Sequence, residues 1–186
     1  GNELADDGYL ARLATAVFTI ISQTSQPVII VHGGGKAIAD LQTKLGLEPR
    51  KVDGLRVTDK GSLAAAEMVL SGQINKAIVA ALLAAGVDTI GLSGVDGGLL
   101  RCQKKQHPTA DLGLVGEIDA VRSGLLQQVA AMGLTAVISP ISLGHDGQTY
   151  NVNADDAASA VAGAMGAAQL DFISNVPGVL QDGVVI

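Results

Sequence analysis

Apolar residues recur along this chain in two rhythms, and the switching between them predicts the fold. Leu10, Leu13, Val17, Ile20 and Ile21 stand at helical spacing between residues 9 and 24. The run Val28-Ile29-Ile30-Val31 has no polar interruption and is mostly β-branched, as a parallel strand buried on both faces requires. It stops at His32-Gly33-Gly34-Gly35, and helical spacing resumes from Lys36 to about residue 45, where Gly46 ends it. Residues 48–59 are polar with β-branched positions interspersed, which predicts a short hairpin or lid. An Ala-rich helical stretch over 61–86 carries a break near Ser71-Gly72. Core strands are predicted at 87–92, 135–139 and 170–174, and helices at 123–132 and 155–165. Residues 97–117 read as antiparallel excursions with a polar tip at 103–107.

Strands alternating with helices of this length predict right-handed βαβ units, hence an α/β fold with a mostly parallel open sheet. Ligands in such sheets sit at the carboxyl ends of the strands. The polar and glycine-rich residues fall at those ends: 33–35, 93–96, 139–142 and 174–176.

The glycine turn is the most informative of these. A strand that ends in three glycines and restarts as a helix exposes backbone N–H groups at the positive helix end, where a carboxylate or phosphate is favoured. Gly33, Gly34 and Gly35 carry no side chain, so a ligand can touch the main chain. A tight chain reversal with no ligand is the competing explanation. The spacing matches neither the dinucleotide GxGxxG nor the P-loop GxxxxGK[ST].

Composition narrows the class. At 186 residues, 48% hydrophobic with 24 glycines and 2% aromatics, the chain suits one domain, or one and part of a second. Its net charge of −6 argues against a nucleic-acid partner. No uninterrupted apolar run approaches the ~18 residues that cross a bilayer, and no secretory leader pattern opens the chain. The single cysteine, Cys102, lies in a polar stretch and is expected at the surface; it forms no internal disulfide, which fits a reducing cytoplasm. The opening at Gly1-Asn2 and the ending at Val184-Val185-Ile186 lead us to expect an internal segment of a longer protein, or its ordered part.

Few side chains offer chemistry. Arg56, between β-formers, has a planar fork suited to a carboxylate, or is a solvated hairpin charge. Asn153 reads as the N-cap of the last helix, with Asp155 favoured in its first turn. Capping leaves Asn151 unexplained; its amide both donates and accepts, which suits an amino-acid derivative. His32 reads as a satisfied structural histidine rather than a catalytic one, and neither His107 nor His145 has metal-ligand spacing.

The motifs VHGGGK (31–36), GLRVTD (54–59), GLSGVDGGLL (91–100), LGLVGEI (112–118), DGQTYNVNAD (146–155) and NVPGVL (175–180) occur in that order. Together the series resembles acetylglutamate kinase of the amino acid kinase family. The resemblance implies an open three-layer αβα sandwich with a mostly parallel sheet, incomplete at both ends. The single domain over 1–186 would then be mainly the acetylglutamate-binding and dimerisation half, with the ATP-binding part largely missing after 174. It implies a cytoplasmic homodimer that transfers the γ-phosphoryl of ATP, with Mg²⁺, to the side-chain carboxylate of N-acetyl-L-glutamate in arginine biosynthesis. In that reading Gly34 and Gly35 hold the substrate and the transferring phosphoryl through their amides, Arg56 clamps the α-carboxylate, and Asn151 binds the acetylated amino end. Asp155 orients catalytic lysines, and Asn175, Val176, Pro177, Gly178, Val179 and Leu180 approach the nucleotide.

The acceptor carboxylate, with a pKa near ~4.3, is ionised at neutral pH and needs no general base, only alignment and charge cancellation. Two departures stand out: the lysine of the family's first glycine turn is absent before Gly1-Asn2, and Asn175 replaces the usual aspartate. This segment alone is therefore expected to bind acetylglutamate weakly and not to turn over. The competing readings are a non-catalytic amino-acid sensor of the same fold, another amino acid kinase, and a generic nucleotide-binding domain.

Overall fold

The computed structural model describes residues 8–173, Leu55 by its backbone alone, together with the backbone of 180–181 and 184–185. In chain order it runs α1 (Tyr9–Thr24), β1 (Ile29–Val31), α2 (Gly35–Lys44), β2 (Arg50–Val52), β3 (Leu55–Val57) and α3 (Lys60–Glu67). A π-helical segment (Met68–Ile74), α4 (Asn75–Ala84), β4 (Thr89–Ser93), a 3-10 turn (Asp96–Gly98), β5 (Leu100–Lys104) and β6 (Gly116–Val121) follow. Then come α5 (Ser123–Ala131), β7 (Thr135–Ser139), β8 (Ile141–Gly144), β9 (Thr149–Asn151), α6 (Ala154–Met165), β10 (Leu180–Gln181) and β11 (Val184–Val185).

Strands β1, β7 and β4 form a parallel sheet in that order. Its side chains alternate between two cores, as a strand's two-residue period dictates. Ile30 and Val137 turn toward α1–α4, joining Ala14, Val17, Ile38, Leu70, Ile78 and Leu82. Ile29, Val31, Ala136, Ile138, Ile90 and Leu92 turn the other way, against Leu126 and Val129 of α5 and Ala157 and Val161 of α6. Helices thus cover both faces, and the three-layer α/β arrangement implied by the resemblance is present.

A second sheet, β6-β5-β8-β9, is antiparallel except where β5 runs parallel to β8. The hairpin predicted over 48–59 is there as β2–β3, and its turn places Asp53 (φ 48°) and Gly54 (φ 80°) in the left-handed region.

Three expectations need correction. The Ala-rich helix does not break at Ser71-Gly72: both residues lie in the π-helical segment, and α3, that segment and α4 are continuous. A π turn admits one extra residue without ending the helix. The resulting run Lys60–Ala84 is, by length and composition, long and apolar enough to cross a bilayer. In this fold its inner face is core instead, through Leu63, Ala66, Val69, Leu70, Ile74, Ile78 and Leu82. Cys102 is fully buried, because the alternation of β5 sends Leu100 and Cys102 inward and turns Arg101 and Gln103 the other way.

Finally, residues 170–173 are not a strand: Leu170, Phe172 and Ile173 are exposed and none of them pairs. Apolar pattern records a tendency to be buried, but a strand also needs a hydrogen-bonding edge, and among the described residues β1 pairs only with β7.

Candidate active site

The site is built where the parallel strands end. His32 N donates to Ile138 O at 3.1 Å and Gly94 N to Ser139 O at 3.2 Å, so the turns after β1, β7 and β4 lie side by side. Three of the four strand-end clusters expected to converge do so; the fourth, 174–176, lies outside the described residues. Gly34 is buried and caps α2 with an ordinary extended φ. Proximity, not dihedral strain, demands glycine there. A Cβ would overlap the Ile74 and Leu70 side chains of the π-helical segment. At Gly33 a Cβ would sit 3.4 Å from Ala154 Cβ, so the first turn of α6 abuts the glycine turn. Gly35 is exposed and opens α2.

Beneath the turn lies a closed polar network. Asn75, fully buried, donates from Nδ2 to Val137 O (3.0 Å) and Leu92 O (3.2 Å), and lies 3.3 Å from His32 Nε2. Its Oδ1 accepts from Lys76 Nζ at 2.9 Å. On the other side of the ring, His32 Nδ1 lies 3.2 Å from Gly33 O. Burial pushes the His32 pKa down to about 4, so the ring is neutral at physiological pH. The sequence reading of His32 as a satisfied buried residue matches this geometry.

Arg56 lies against the glycine turn. Its Nη2 donates to Gly35 O at 2.9 Å and its Nη1 to Gln42 Oε1 at 2.6 Å, while partial burial lowers its pKa. The solvated-hairpin alternative therefore fails: Arg56 is half-buried and docked. A guanidinium has five N–H donors, so the rest of the fork stays available. Arg56 lines a surface depression with Gly35, Lys36, Ala39, Pro49 and Lys51, and its three cations suit an anion.

Thr58 connects Arg56 to Asn151. Fully buried, it donates from Oγ1 to Arg56 O at 3.3 Å and accepts from Asn151 Nδ2 at 3.5 Å. Its N–H donates to Leu112 O and its carbonyl accepts from Leu114 N, while Asn151 N donates to the Leu114 carbonyl at 3.0 Å. Asn153 caps α6 as read from the sequence, its Oδ1 accepting from Asp155 N (2.7 Å) and Asp156 N (3.3 Å). Asp155 is exposed in that first turn, beside Ala154.

The structure thus brings Gly34, Gly35, Arg56 and Asn151 together directly or through one intervening residue, and sets Asp155 next to the turn through Ala154. Asn175, Val176, Pro177, Gly178 and Val179, expected to approach the nucleotide, lie outside the described residues. Leu180 is described only as backbone, in β10. His107 and His145 face single carboxylates, Asp53 at 3.1 Å and Asp119 at 2.9 Å. Among the described residues no group of three or more His, Cys, Asp or Glu is arranged to hold a metal ion.

Sequence reasoning missed Gln42, Thr58 and Asn75. Each is polar and no more than 0% exposed. The available signal was a polar side chain on an otherwise apolar helix face: Gln42 follows Ile38 by four residues, and Asn75 precedes Ile78 by three.

Comparison with known proteins identifies the family. The model of the amino acid kinase family matches residues 1–184. The acetylglutamate kinase of Roseiflexus sp. (strain RS-1) is 51% identical over 187 residues, spanning all of this chain and 69% of the relative. That of Geobacillus kaustophilus (strain HTA426) is 46% identical over 180 residues, 95% of this chain and 69% of its own length. Among solved structures, smu.665 from Streptococcus mutans UA159 superposes with a TM-score of 0.84 at 27% identity, over 92% of this chain and 69% of that one. The chain belongs to the amino acid kinase family, in the company of its acetylglutamate kinases.

Proposed function

We propose that the site binds N-acetyl-L-glutamate and presents its side-chain carboxylate to the γ-phosphate of ATP. The product is N-acetyl-L-glutamyl 5-phosphate, in the second step of arginine biosynthesis. The observation that carries this reading is the cluster itself: the glycine-turn amides, the docked Arg56 fork and the Asn151 amide share one corner of the fold, tied through Gly35 and Thr58. These residues differ in chemistry as the two ends of an acylated dicarboxylic amino acid do.

The roles follow from charge. Arg56, with Lys36 and Lys51 beside it, attracts the α-carboxylate and holds it at two points. Asn151 can meet an acetamido group as both donor and acceptor. The amides of Gly34 and Gly35, at the positive end of α2, align and stabilise the transferring phosphoryl. Asp155 organises cations around the phosphates. Mg²⁺ belongs to this reading as the counter-ion accompanying ATP, and neutralises phosphate charge when present. A homodimer and a cytoplasmic location belong to it as well.

The test is a calorimetric titration of the full-length protein with N-acetyl-L-glutamate and with ATP–Mg²⁺, followed by a phosphoryl-transfer assay. Binding of both with turnover supports the reading. Acetylglutamate binding without turnover would point to an amino-acid sensor, and ATP binding alone to a generic nucleotide domain.

A further inference from the structure

Two polar side chains, His32 and Asn75, are buried under the glycine turn; the His32 ring bonds to the turn's backbone at Gly33 O, and Asn75 reaches the turn through that ring. We propose that His32, locked by Asn75, is a positioning residue that aims the Gly34 amide at the transferring phosphoryl group. The inference rests on the phosphotransferase reading above and adds to it a buried residue behind the turn.

The geometry favours one tautomer of the ring. Asn75 Nδ2 is a donor and not an acceptor, and it shares its two hydrogens among Val137 O, Leu92 O and His32 Nε2 at 3.3 Å, which suits an Nε2 without hydrogen. The neutral ring then has its proton on Nδ1, which donates to Gly33 O at 3.2 Å. No described peptide bond is cis, and in a trans peptide the carbonyl and the N–H point in opposite directions. Drawing the Gly33 carbonyl toward the imidazole therefore turns the Gly34 N–H away from it. Gly34 is the N-cap of α2, so this N–H stands at the positive end of a ten-residue helix.

Asn75 is held as firmly as it holds. Its amide also bridges the backbones of β4 and β7 through Leu92 O and Val137 O. Its neighbour Ile74 presses on Gly34 itself, where a Cβ would collide. Consecutive residues at the end of the π-helical segment thus grip the same turn, Ile74 by packing and Asn75 through the histidine. A further tie, Ser71 Oγ to Ser139 Oγ at 2.7 Å, anchors the segment to the end of β7. Burial first keeps the ring neutral; among the described residues the charged group acting on it is Lys76, whose ammonium sits on Asn75 Oδ1 and opposes a second positive charge.

The test uses the full-length protein with His32→Ala and His32→Asn. Asparagine places an amide N–H where Nδ1 donates; alanine places nothing. The expected result is a fall in kcat of about 10- to 100-fold for His32→Ala, with both KM values within about threefold, because only a transition-state contact is misaimed. His32→Asn recovers most of that loss. Unchanged kcat in His32→Ala, or equal losses in the two variants, would overturn the proposal. A second readout needs no turnover: imidazole nitrogen NMR on the wild-type protein. A proton on Nδ1 supports the proposal, and a proton on Nε2 overturns it even if His32→Ala fails to fold. Should the wild-type protein not phosphorylate N-acetyl-L-glutamate, that reading falls by itself. The Gly34 amide resonance then decides the positioning claim: displacement in His32→Ala with return in His32→Asn upholds it, and an unmoved resonance overturns it.

Discussion

Arg56 Nη1 lies 2.6 Å from the Oε1 of Gln42, a side chain with no exposed surface, and the Gln42 Nε2 is a buried donor with no acceptor. An orphaned buried N–H costs about 1–3 kcal/mol, so Gln42 is retained at a cost, and what it does is hold the guanidinium in place. Arg56→Lys keeps the charge but loses the planar fork. We expect the KM for N-acetyl-L-glutamate to rise about 10- to 100-fold, with stability falling by about 1–3 kcal/mol because the buried Gln42 Oε1 loses its donor. Steady-state kinetics and a melting curve check both halves. Gln42→Met should raise the same KM while leaving stability equal or improved, since it removes the orphan donor.

Gly34 and Gly35 are adjacent but predict opposite outcomes. Alanine at Gly34 drives a methyl into Ile74 and Leu70, an overpacking expected to cost about 1–3 kcal/mol. At Gly35 the nearest atom to an added Cβ is Arg56 Nη2 at 3.8 Å, an ordinary contact. Gly35→Ala should therefore fold normally and lose affinity or rate, because its methyl stands on the exposed approach to the helix amides. Urea unfolding of the two variants beside ligand titration tells them apart.

His32 makes stability depend on acidity in a definite direction. Its folded pKa, about 4, lies below the ordinary histidine value of 6.5, so the unfolded chain binds the extra proton first. The stabilisation is complete above about pH 6.5 and is lost as pH falls toward 4, in total roughly 3 kcal/mol at ~1.4 kcal/mol per unit. Urea midpoints of the wild-type protein should fall across that window more steeply than those of His32→Asn. Parallel curves would show that carboxylates alone account for the acid loss.

Asn153 and Asp155 occupy one helix start with separable duties. Asn153 accepts two backbone N–H groups, and Asn153→Ala should cost about 1 kcal/mol of stability. Asp155 is exposed, and Asp155→Asn should change stability by less than about 1 kcal/mol. Under the proposed role its kcat should nevertheless drop by about 100-fold. A rate loss proportional to the stability loss in both variants would deny Asp155 that role.

Much of the frame was legible in the chain's rhythm, because β1, its glycines and α2 each bear a local signature: branched apolar run, bare backbone, amphipathic turn. Tyr9–Thr24 and Thr135–Ser139 agree with their predicted bounds for the same reason. Harder to see was whatever depends on a distant partner. Cys102 looks polar by its neighbours in sequence, and its burial follows from pairing with β6 and β8. The hairpin β8–β9 hides behind Pro140, although its Asp146-Gly147 turn is a recognised signal. At the site, the ligand-facing candidates could be named from their chemistry. Their supports, Gln42, Thr58 and Asn75, could not, because a buried polar residue declares itself only when its partners are in place.

The π-helical segment has a final consequence for how this chain tolerates change. Each residue of a helix advances about 100° around its axis, so the extra residue housed between Met68 and Ile74 sets the phase of everything after it. Removing one residue there would keep the helix and rotate α4 by roughly a quarter turn. Asn75 would swing off the strand ends, and Ile78 and Leu82 would leave their places in the core. Gaps in this stretch act as rotations rather than truncations, and an alignment that slides one residue here would misassign the very side chains that grip the glycine turn.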